Sequence, residues 1–217
     1  MFRVWERWGT SLGAIGVILW AVAFIVDNNS PSPGDSDATI QAWYASSSHR
    51  NREVIAFFMI VGGALCVIGF YGALRERLAE AEESPARVSQ LAFGAGLLSA
   101  ALTIIAISLF VGPTFAAMDA KPSNVAPDTF RVLNDTGYLI WVSATMIGAI
   151  TVWASSAIAL RRGVFPRWFA WLGVLVGVVQ LFAVFFIPIL VSWAWILIAS
   201  LLLTWRRTAI APPATAA

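Results

Sequence analysis

The chain is poor in the residues that carry most protein chemistry. Cys66, His49 and Lys121 are the single representatives of their types among 217 residues, and only 12% of the residues are charged. Cys66 therefore has no partner for an internal disulfide. It falls between Leu65 and Val67 in an apolar run and reads as a small reduced packing residue. His49 alone cannot supply bis-histidine haem ligation, and a zinc site needs three or four His, Cys or acidic ligands, so no metal and no cofactor is expected. Lys121 lies in a polar loop, which leaves a retinal Schiff base without a lysine buried in the membrane. No aspartate-rich diphosphate motif occurs. A net charge of +2 marks no nucleic-acid surface. Soluble domains carry about 25% charged residues, and this chain falls far below that.

What fills the chain instead is apolar: 59% of residues are hydrophobic and the mean hydropathy is +0.78. Six apolar stretches stand out, at residues 10–26, 54–74, 88–112, 133–160, 168–186 and 189–205. Crossing a bilayer core about 30 Å thick takes about 20 apolar helical residues. Most of the stretches reach that length, and the last sits at its lower edge. The fold class is thus all-α: an integral membrane bundle of six transmembrane helices, occupying residues 1–210 as one domain. The run from Trp168 to Trp205 has a single break at Pro188, where a hairpin near Ile187-Pro188-Ile189 would return the chain. The alternative is five spans, with half of that run lying in the interface. The tail, residues 211–217, has no pattern and is expected to be disordered.

Arginines orient the bundle. With an inner N-terminus, the inner segments hold Arg3, Arg7, Arg75, Arg77, Arg87, Arg161, Arg162, Arg167, Arg206 and Arg207. The outer segments hold Arg50, Arg52, Lys121 and Arg131, which completes the 14 basic residues. Basic residues collect on the cytoplasmic side of membrane proteins, so the protein is expected in the cell membrane with both termini cytoplasmic. Trp5, Trp8, Tyr71, Trp168, Trp171 and Trp205 fit inner interfaces. Trp43, Tyr44, Tyr138, Trp141, Trp193 and Trp195 fit outer ones, while Trp20 and Trp153 lie deeper and should pack between helices.

Two outer loops read alike. Residues 27–34 are polar and proline-bearing, and lead into an amphipathic run at Ile40, Trp43 and Tyr44 with Ser36 or Asp37 as N-cap. Pro113 and the segment 121–124 precede a second such run, at Pro127, Phe130 and Leu133. Two short outer amphipathic helices are expected. At the inner side, residues 75–83 should extend the second span by about two turns through charges at helical spacing. Three stretches carry a family resemblance: Ile40-Gln41-Ala42-Trp43-Tyr44 leading to His49-Arg50, Leu74-Arg75-Glu76-Arg77-Leu78, and residues 164–173. They resemble uncharacterised actinobacterial polytopic membrane proteins, and the pattern is similar to DUF4386-type proteins. That resemblance covers most of the chain and implies a membrane domain, with no biochemical activity to carry over.

Chemistry-bearing residues gather at the outer level. Asp27, Glu53 and Asp135 end or begin three different spans and should meet at one mouth, with Arg50, Arg52 or Arg131 between them. Arg131, Asn134, Tyr138 and Trp141 share one face of the fourth span; such a stripe faces a bundle interior or a wet cavity. With Asp27 and Trp20 they form the candidate ligand-binding set, and Glu53 and Asp135 are the candidate acids. The reading is binding of a membrane lipid or small amphiphile through an outer-facing vestibule. The alternatives are a membrane-embedded enzyme on an isoprenoid-like or lipid substrate using a carboxylic acid, and an accessory subunit or small channel. Gly173 and Gly177 allow close helix packing, either within the chain or in a homo-oligomer.

The orientation is tested by labelling intact cells with a membrane-impermeant thiol reagent. A cysteine placed at Ser32 should react and one placed at Ala217 should not. The reverse pattern overturns the topology.

Overall fold

The structure, a computed structural model, describes residues 8–82, 84–119 and 125–208, with side chains through Trp205. Arg3, Trp5, Arg7, Lys121 and the tail 211–217 lie outside the described residues. The described chain is helical and without strands: α1 (Leu12–Val26), α2 (Asp37–Ala45), α3 (Ser47–Glu82), α4 (Arg87–Asp119), α5 (Pro127–Arg162), α6 (Arg167–Gln180) and α7 (Ile187–Thr208). A 3-10 turn, Ala183–Phe185, joins the last two. Helices α3, α4, α5 and α7 are long and apolar enough to cross a membrane. The short ones are α1 and α6, with 15 and 14 residues, about 22 and 21 Å at about 1.5 Å per residue. Large apolar side chains such as Ile18, Phe58, Leu65, Leu98 and Leu201 face outward. This is a helical-bundle membrane protein.

Neighbouring helices run antiparallel. Gly16 of α1 meets Gly63 of α3, Tyr71 of α3 covers Gly96 of α4, Ser99 of α4 meets Gly148 of α5, and Ser156 of α5 meets Gly173 of α6. The last contact closes the ring. The Ser200 hydroxyl of α7 accepts from the Ala14 amide at 2.9 Å and donates to the Thr10 carbonyl at 2.5 Å. The first four N–H groups of a helix have no partner within it. In apolar surroundings such a group costs several kcal/mol, so a serine from the last helix lets the short first helix begin where it does.

Several local expectations hold. Ser36, rather than Asp37, caps α2: its hydroxyl accepts from the Thr39 amide at 3.2 Å. Helix α3 continues through Arg75 and Arg77 to Glu82. The Glu82 carboxylate then accepts from the Val88 and Ser89 amides, both at 2.8 Å, and so caps the start of α4. Trp20 and Trp153 pack between helices, donating to the Ile60 and Val174 carbonyls at 3.0 and 3.1 Å. Helix α5 ends at Gly163, whose φ of 75° is the left-handed cap that glycine adopts without strain.

Other expectations are corrected. The chain reverses before Pro188, between Leu181 and Phe186, and Pro188 sits in the first turn of α7, where its missing N–H costs nothing. Pro113 does not end the third apolar helix; α4 runs through it to Asp119. Burial of Val111, Pro113, Thr114 and Ala117 outweighs the lost backbone bond. The second amphipathic run is no separate helix. It is the first turns of the 36-residue α5, begun by Pro127 at the N-terminal position that suits proline. Trp195, expected at an interface, is buried two turns into α7, stacked on Phe169 with centroids 5.9 Å apart.

Gly173 and Gly177 face inward. A Cβ on Gly177 would lie 2.2 Å from the Trp153 indole nitrogen, and one on Gly173 would lie 2.2 Å from the Ser156 hydroxyl. Gly94 of α4 is exposed and has nothing within 4 Å of its Cβ position. Gly177→Ala should therefore destabilise by about 1–3 kcal/mol through overpacking. Gly94→Ala should be neutral or stabilise by up to about 1 kcal/mol. Thermal unfolding in detergent reads both; equal effects would refute the packing of α6 on α5.

Candidate functional site

One end of the ring is roofed. After α1 the chain runs through residues 27–36 and then α2, which lies over the adjoining ends of α4 and α5. Ile40, Trp43 and Tyr44 of α2 pack there against Ala117, Val125 and Phe130. Arg131 of α5 ties the roof down. Its guanidinium donates to the Pro33 carbonyl at 3.0 Å, to the Asp35 carbonyl at 3.0 Å and to the Asp37 carboxylate at 2.7 Å, with Asp128 as a second carboxylate at 3.1 Å. Arg50 at the start of α3 donates to the Tyr44 carbonyl. Two arginines thus hold a nine-residue helix that is too short to be stable alone.

Beneath the roof lies a cavity of about 190 Å³. Its walls come from α1, α3, α4 and α5 and are apolar and aromatic, with Phe24, Phe57, Phe110, Phe130 and Trp141 among them. Its polar groups are few: Asp27 and Ser30 from the loop, Tyr44 from α2, Glu53 from α3 and Asn134 from α5. Glu53 is 8% exposed, and its carboxylate accepts from the hydroxyl of the fully buried Thr114 of α4. Asp27 accepts from the Ser30 hydroxyl at 2.7 Å. Burial raises the Asp27 carboxyl above its ordinary value, and the Ser30 hydrogen bond and the charge of His49 draw it part of the way back. Tyr44 is fully buried, and among the described residues its hydroxyl has no partner. Burial pushes its phenol up, and the charges of Glu53 and Asp27 push it further. The tyrosine and both carboxylates therefore act on one another across this cavity.

The candidate residues are sorted by the structure. Asp27, Glu53, Asn134 and Trp141 line the cavity together. Arg131 braces the roof instead. Tyr138 donates its hydroxyl to the Val184 carbonyl at 3.0 Å, which serves the 3-10 turn between α6 and α7. Asp135 is exposed and points away from the lining. Trp20 lies one layer deeper, 5.3 Å from Trp193, beside a second cavity of about 30 Å³. That volume suits a single water, and Gln180 and Trp195, which line it, each have a buried polar atom without a partner among the described residues. Trp141 borders both cavities. Of the arginines expected between the carboxylates, Arg50 and Arg131 are engaged elsewhere, and among the described residues no arginine forms an ion pair with Asp27 or Glu53. Tyr44 and Thr114 escaped the sequence reading. Tyr44 was read as an interface aromatic, and Thr114 follows a proline that reads as a helix end.

An orphaned buried hydroxyl destabilises the protein that holds it. Tyr44→Phe should stabilise the ligand-free protein by about 1 kcal/mol, or about 2–4 °C in thermal midpoint for a chain of this size. A lowered midpoint would show that the hydroxyl is bonded within the fold.

Neither a curated protein nor a solved structure matches this chain. A family model, described as a domain of unknown function (DUF4386), matches residues 8–209. That match spans every helix that builds the cavity, and the chain belongs to the DUF4386 family.

Proposed function

We propose that the protein sits in the cell membrane with both termini cytoplasmic and binds a lipid or small amphiphile in the roofed cavity, which opens toward the outer face. The observation that carries this reading is the composition of the cavity: an apolar, aromatic chamber of about 190 Å³ with a handful of convergent polar groups. Small-molecule sites have that character, apolar walls for affinity and a few placed polar groups for orientation. The orientation rests on the arginine distribution, which puts Asp27, Glu53 and the roof at the outer level. The roof itself supports binding, since a short helix held by two arginines can release and re-form without disturbing the ring.

A second reading keeps the same chamber and makes it catalytic. Glu53 is buried, bonded to Thr114 and free of arginine, which is the environment in which a carboxylic acid can act as a proton donor to a bound lipid. Asp135, being exposed, is the weaker of the two candidate acids.

Native mass spectrometry of protein purified in mild detergent tests the binding reading. The wild type should carry a non-protein mass of lipid or amphiphile size. Glu53→Gln should lose most of it while keeping its thermal midpoint within a few degrees. A wild type without adduct, or equal occupancy in the variant, would sink the proposal. Release of a chemically altered ligand after incubation would favour the enzyme.

A further inference from the structure

We propose that the ligand of this cavity carries a protonated amine: an alkylammonium with at least one N–H, seated between Glu53, Asp27 and Tyr44 with its apolar chain among the aromatic rings. The inference rests on the binding reading and names the chemical class of the head group.

Three observations carry it. The first is charge. Among the described residues, two carboxylates line the chamber and no lysine or arginine does. Of the neighbouring cations, Arg50 donates to the Tyr44 carbonyl, Arg131 holds the roof, and His49 stacks on Trp43 with ring centroids 5.2 Å apart. An anionic head group would meet two carboxyl groups, with His49 as a partial offset at Asp27 alone. A neutral alcohol would bond one group and leave both carboxylates without a counter-ion.

The second is the Tyr44 hydroxyl. It is fully buried, belongs to the lining and has no partner among the described residues. A phenol both donates and accepts. It can accept from an ammonium N–H while donating to a carboxylate, which is the pairing this arrangement lacks. The Thr114 hydroxyl already donates to Glu53 and still leaves that carboxylate acceptor sites for an incoming N–H.

The third is the wall. Phe24, Phe57, Phe110, Phe130 and Trp141 surround the polar groups. Aromatic faces attract cations, more strongly where water is excluded. The same rings bury an alkyl chain. A chamber lined by two acids and several aromatic rings suits an amphiphilic cation better than either an anion or a neutral chain.

The experiment uses the full chain in lipid nanodiscs and three probes of one chain length: n-octylammonium, 1-octanol and octanoate. Each is titrated while the thermal midpoint is followed, and affinity is confirmed by calorimetry. The proposal predicts that octylammonium binds at least about tenfold more tightly than the other two, since hydrogen bonds to charged groups are each worth that much or more. Glu53→Gln should weaken octylammonium at least about tenfold, and Tyr44→Phe, which keeps the ring, should weaken it by about three- to tenfold. Should Glu53→Gln not fold, Asp27→Asn and Tyr44→Phe carry the test, because both leave the Thr114 contact intact. Tighter binding of octanol or octanoate overturns the amine assignment and leaves amphiphile binding standing. Octylammonium binding unchanged in Tyr44→Phe and in the folded carboxylate variant also overturns it. If no probe binds the wild type, both proposals fall together.

Discussion

Every backbone N–H and C=O in an apolar medium must find a partner inside the protein, because no water is there to supply one. Helices meet that demand along their length and fail it at their ends. The bundle is organised around those ends. Ser200 receives the Ala14 amide where α1 begins, Glu82 receives the first amides of α4, and Tyr138 donates to Val184 where α6 gives way to α7. Tryptophans do similar work at mid-helix, where Trp20 and Trp153 bond carbonyls of adjacent helices. The same side chains that satisfy the ends hold one helix to the next, so closure of the ring and satisfaction of the backbone are one problem with one solution.

The roofed end departs from that rule. The buried Tyr44 hydroxyl has no partner among the described residues, and Glu53 is buried with a neutral threonine as its bonded neighbour. Both features cost stability. They occur together, they line one chamber, and Arg50 and Arg131 fasten the roof above it. Exceptions of this kind concentrate where a protein meets a ligand, because groups left open in the free state are the ones a ligand can bond.

The helical membrane bundle was legible because hydropathy records burial in lipid directly. Residues that pack against one another are harder to read. Pro113 reads as a helix end, yet burial of its neighbours carries α4 past it, and that contribution lies in contacts distant in sequence. The second outer run resembles the first in pattern and still became the start of α5, since nothing between Phe130 and Tyr138 stops a helix. The reversal near Leu181 has no proline or glycine to announce it. Asp27, Glu53, Asn134 and Trp141 were recognisable as a set from their common level. Asp135 was not separable from them, because one helical step decides whether a side chain faces the chamber or the outside. Arg131 was read as part of the site because its charge was visible; that its partners are backbone carbonyls of residues 33 and 35 is a fact of tertiary structure alone.

The central claim is that the chamber beneath α2 is a binding site whose head-group contact is Tyr44. A cryo-EM map of the wild-type protein in native-lipid nanodiscs tests this most directly. The account predicts non-protein density inside the chamber, elongated among the aromatic rings, with its polar end within hydrogen-bonding distance of the Tyr44 hydroxyl. A chamber collapsed by inward-turned phenylalanines, or density that stays clear of Tyr44 and Glu53, would contradict it.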